Sequence, residues 1–85
     1  NSFPWTKKLL DSAFELLALD TNLDITTREL IKNALPDLIV DTPATNLAVA
    51  KYQTYIGRTS RVVKDAMHNL LVDVVSESVK KSLFS

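Results

Sequence analysis

Eighty-five residues make one small domain with room for a single core. Hydrophobic residues form 46% of the chain and charged residues 24%, the balance of a folded globular protein rather than a disordered one. Ten basic against ten acidic residues argue against a dedicated nucleic-acid binder, and zero cysteines exclude disulfides and cysteine-based zinc sites.

One glycine and three prolines leave little material for β-turns, which favours helices. The first helix is expected over residues 4–19, with Pro4 at a favoured starting position. Trp5, Leu9, Leu10, Ala13, Phe14 and Leu17 recur at the three- and four-residue spacings of one helix face. Leu16 and Leu19 widen that face and suggest deep burial. The second helix is expected to begin near Thr26 or Thr27, where Thr26 and Glu29 fit a capping box. Pro36 disfavours helical geometry at Leu35 and predicts a stop there, with residues 36–41 as an irregular link.

Asp41, Thr42 and Pro43 then read as a helix start, with Thr42 as cap. Ala48, Val49, Tyr52, Tyr55 and Ile56 give the third helix its apolar side, and Gly57 is placed for a left-handed stop. A fourth helix is expected from Thr59 or Ser60 to about Leu83. Val63, Ala66, Met67, Leu70 and Val74 line one face of it, while Val72, Val75 and Val79 point to nearly the opposite side. Either that helix passes through the middle of the bundle, or its second face meets another chain. The fold class that follows is all-α: a compact bundle of about four helices with a long C-terminal helix, in one domain.

Residues 19–30 read LDTNLDITTREL. Asp20, Asn22 and Asp24 alternate like cation ligands, and this segment resembles the calcium loop of the EF-hand family. That resemblance implies a glycine at loop position 6 and a glutamate at position 12. Counting from Asp20 puts Ile25 and Ile31 there, and Glu29 falls at position 10. The same letters also describe a polar turn followed by a helix cap. Leu35, Asp37, Leu38, Asp41, Pro43 and Ala44 form a second pattern, similar to one in helical-repeat domains that bind translation factors. A proline stop, a buried apolar turn and an Asp-Thr-Pro helix start account for these residues as well.

His68 is the single histidine, and the neighbouring Asp65 and Ser76 are what any polar helix face supplies. With one glycine there is no phosphate-binding glycine-rich loop. No catalytic machinery, cofactor or metal site is therefore expected. Nor does any apolar run approach the roughly 18 residues of a membrane span. The chain starts without Met or a leader-like segment, which suggests an excised or processed fragment of a longer protein; a soluble, intracellular domain is expected, with the compartment left open.

The function expected is a protein–protein interaction or self-association module, with a protein partner or a second copy docking on the C-terminal helix. Its candidate contact residues are Trp5, Val72, Val75, Val79, Leu83 and Phe84. Trp5 serves either to seal the bundle or to anchor an interface. The alternative is a nucleic-acid-associated regulatory domain using Arg58, Arg61 and Lys64 around a helix N-terminus. A degenerate EF-hand-like module without strong calcium binding is the third reading.

Overall fold

The computed structural model describes residues 4–84, with side chains from Lys7 onward. The Trp5 side chain lies outside the described residues. Among the described residues five helices follow one another: α1 (Pro4–Leu19), α2 (Ile25–Ile39), α3 (Thr45–Tyr55), α4 (Arg61–Leu71) and α5 (Glu77–Phe84). A 3-10 turn, Ile56–Arg58, joins α3 to α4, and there is no strand among the described residues. The all-α class holds, but the long C-terminal helix is two short ones.

The α1 helix buries Ala13 and Leu17 and half-buries Leu10, Phe14 and Leu16. Leu19 is 72% exposed, so the helix presents one stripe and is not submerged. The following turn is built by Asp20, a carboxylate only 3% exposed. Its Oδ1 accepts the Asn22 N–H, an Asx turn, and its Oδ2 accepts the Ser60 N–H at the start of α4. The Arg28 guanidinium donates to the carbonyls of Asp20 and Leu23, closing the loop from the other side.

The expected Thr26–Glu29 capping box is replaced by Asp24 and Thr27. Asp24 has extended backbone geometry and accepts the Thr27 N–H. A hydrogen bond from the Thr27 side chain holds the Asp24 carboxyl below its usual range. Glu29 instead pairs with Lys32 on the helix surface.

The α2 helix also runs through Pro36 to Ile39. Ile31, Ala34, Leu35 and Leu38 fall at one-face spacing, and all four are buried. Seating Leu38 requires the helix to continue. Burying a leucine contributes about 1.5–3 kcal/mol, comparable with the helix-interior cost of proline. Pro36 itself faces solvent, where the missing bond is tolerated.

Thr42 opens a turn rather than the third helix. Its hydroxyl accepts the Ala44 N–H and donates to Asp37 Oδ1, while Thr45 Oγ1 accepts the Thr42 N–H. The helical hydrogen bonds of α3 begin after that lock, with Ala44 at the cap position. At the other end, Gly57 does not adopt a positive φ. Thr59 makes that unnecessary, because its N–H and hydroxyl both donate to the Ile56 carbonyl and so satisfy the helix end. Ser60 then caps α4, its hydroxyl accepting the Val63 N–H.

α2 packs most extensively on α3, α1 contacts α4 and α2, and α5 contacts α3. His68 of α4 meets Phe84 of α5, so the order of neighbours closes on itself around a core centred on Leu17, Ile31, Leu35, Met67 and Leu71.

Candidate functional site

The α4–α5 hairpin carries the candidate surface. After Leu71 the backbone keeps a near-helical course. Val72 donates to the His68 carbonyl, and Val74 and Val75 both donate to the Leu71 carbonyl. At Ser76 the chain breaks direction, and its hydroxyl accepts the Val79 N–H as the cap of α5. The turn drives Val75 and Val79 inward, where they are 7% and 5% exposed.

These two valines belong to the chain's own core. The expected second face of one long helix is thus divided: Val75 and Val79 pack inside, and Val72, Leu83 and Phe84 stay half-buried at the surface. The physical reason is the Ser76 cap, which folds the second half of the segment back onto α3.

Phe84 sits edge-on to His68, with ring centroids 4.2 Å apart and planes at 62°. Two clefts flank this contact. The inner one, about 90 Å³, lies between α3, α4 and α5 and is lined by Tyr52, Ile56, Lys64, Asp65, His68, Leu83 and Phe84. The outer one, about 280 Å³, is a shallow groove lined by His68, Val72, Lys80, Lys81 and Phe84. Burial pushes the Tyr52 phenol well above its ordinary range, so it stays neutral and is a poor proton donor or acceptor for catalysis near pH 7. Among the described residues no group of three or more His, Asp and Glu is placed to hold a metal ion.

The three cations of the nucleic-acid alternative have different local surroundings. Arg58 donates to Thr27 Oγ1 at 3.1 Å and lies over the Tyr55 ring at 5.1 Å. Arg61 points outward beside Asp65, at 3.9 Å and with its side chain 94% exposed. Lys64 lines the inner cleft. The α4 N-terminus, which would attract a phosphate, already faces the Asp20 carboxylate. In the 20–24 loop the would-be cation ligands also diverge. Asp20 serves α4, and Asp24 serves α2.

A family model described as an uncharacterized protein conserved in bacteria (DUF2321) matches residues 1–83. The chain belongs to this family. No curated protein and no solved structure matches the chain. The DUF2321 match reaches into the last turn of α5, so the α4–α5 hairpin lies within the region that defines the family.

Sequence reasoning missed His68, Lys80 and Lys81 as members of one groove. His68 and Phe84 stand sixteen positions apart and meet only because the chain reverses at Ser76. The one signal for that reversal was Ser76 itself, three residues before a buried valine.

Proposed function

We propose that this domain is a non-catalytic protein–protein interaction module whose contact surface is the outer α4–α5 groove. The observation that carries this reading is the make-up of the groove: an apolar floor of Val72 and Phe84 beside His68, with Lys80 and Lys81 on the α5 side. Such a surface fits a short segment with an apolar anchor and carboxylates flanking it. Covering roughly 150 Å² of apolar surface there contributes about 4 kcal/mol, similar to the lower bound of association costs. A weak, reversible contact that depends on charge complementarity is the expected behaviour. In this reading Val72 and Phe84 form the contact surface with His68, Lys80 and Lys81, while Leu83 lies in the inner cleft and Val75 and Val79 in the core.

The test is an NMR titration with two amphipathic helical peptides of equal apolar content, one flanked by glutamates and one by lysines. Shifts centred on Val72, His68 and Phe84, seen with the acidic peptide and lost in Val72→Asp and Lys81→Glu, support the reading. Equal response to both peptides, or shifts centred elsewhere, would sink it.

A further inference from the structure

We propose that α5 is an exchangeable element, swapped between two copies of this chain through straightening of residues 72–76. The linker holds neither glycine nor proline. Its backbone is already close to helical: Val72 has φ −57° and ψ −33°. Val72 N–H to His68 O at 2.9 Å and Val75 N–H to Leu71 O at 3.1 Å are hydrogen bonds of α-helical spacing. The departure from helix runs from Val74, whose N–H reaches the Leu71 carbonyl only three residues back, to Ser76, whose hydroxyl caps α5. A change there joins α4 and α5 into one helix over residues 61–84. On that helix Val72, Val75 and Val79 share a face at three- and four-residue spacing.

Straightening lifts α5 off α3 and vacates a cradle shaped for it. In the straight form Val79, Leu83 and Phe84 lose the cover they have in the closed chain, so α5 needs a docking site. The cradle of a second copy supplies the identical one. Val79, Leu83 and Phe84 regain their packing, and the Gln53 side chain again donates to the Ser82 carbonyl. All contacts of the closed chain are reproduced between chains, and only the linker differs. Val75 loses its intrachain cover in the straight linker. It regains cover when the two linkers cross, with Val72 and Val75 of both copies in contact. The exchange uses α5 itself and needs no ligand in the outer groove, so it stands or falls separately from the peptide titration.

Two substitutions act on the linker in opposite directions. Ser76→Ala removes the cap that stops the helix and favours the straight form, raising the dimer association constant at least about fivefold. Glu77→Pro fits the first turn of α5 in the closed form but breaks a continuous helix, and it abolishes the dimer. Light scattering over a concentration series reads both. The double variant Gln53→Cys/Ser82→Cys puts the chain's only thiols on two exposed positions that adjoin across the α3–α5 contact. A short bis-maleimide applied to the dimer fraction then gives a covalent dimer on a denaturing gel if α5 is exchanged. Crosslinks found only within single chains of the dimer would overturn the exchange, leaving side-by-side association. A folded monomer at every concentration, for both the wild type and Ser76→Ala, would overturn it too.

Discussion

Tyr52 places a phenol at 4% exposure between α3 and the α4–α5 hairpin. Burial raises its pKa above the ordinary value of 10.0. Above about pH 10 an unfolded chain releases this proton while the folded chain keeps it, so unfolding gains as pH rises. Below that pH the residue adds no pH dependence. Thermal melts of the wild type should therefore lose stability steeply between about pH 10 and 11.5, and Tyr52→Phe should flatten much of that loss. Superimposable curves for the two proteins would show that the phenol is not desolvated. Asp20 illustrates the other use of a buried polar group. Its carboxylate spans from the α1–α2 turn to α4, and each of its oxygens accepts one backbone N–H. What looked like a cation ligand joins the α1–α2 turn to the start of α4.

Elements were legible to different degrees, and proline and serine mark the difference. Faces followed from apolar spacing, with Ala48, Tyr52 and Ile56 of the third segment buried, and two starts followed from proline and serine, with α1 beginning at Pro4 and α4 after its Ser60 cap, whereas the third helix starts later than Thr42 and Pro43 signal. The stops of α2 and α4 did not follow, because a stop is decided by what the next residues must bury. Pro36 signals an end, yet Leu38 is 2% exposed and holds α2 helical beyond it. Conversely, residues 72–75 signal continuation, yet Ser76 ends the run. The Pro36 conflict predicts a gain on relieving it. In Pro36→Ala the new N–H can reach the Lys32 carbonyl and the ring clash is removed. The helix-interior penalty of about 3 kcal/mol is partly offset by the freedom alanine returns to the unfolded chain. A net stabilisation of about 1–2 kcal/mol is expected, seen as a higher urea midpoint at unchanged slope. An unchanged or lower midpoint would mean that the helix is already strain-free at Pro36.

At the scale of the whole molecule, the Cα radius of gyration is 11.9 Å, close to the roughly 12 Å of a compact chain this long. Closing α5 back onto α3 is what achieves that compactness. A chain of this size carries a total stability of only about 4–13 kcal/mol. The core therefore has little reserve, and one cavity at its centre should consume much of it. Leu71 is the sharpest place to ask. It is 0% exposed, and its carbonyl accepts the N–H groups of both Val74 and Val75 where α4 gives way to the linker. Leu71→Ala leaves those backbone bonds intact and removes only side-chain volume, at a cost of about 2–5 kcal/mol. Leu47 is 59% exposed on α3, and the same change there should stay within about 0.5 kcal/mol. Urea melts of the pair separate core from surface. If Leu47→Ala costs as much as Leu71→Ala, the centre of the bundle is not where the burial pattern puts it, and the hairpin surface would have to be sought on a different face.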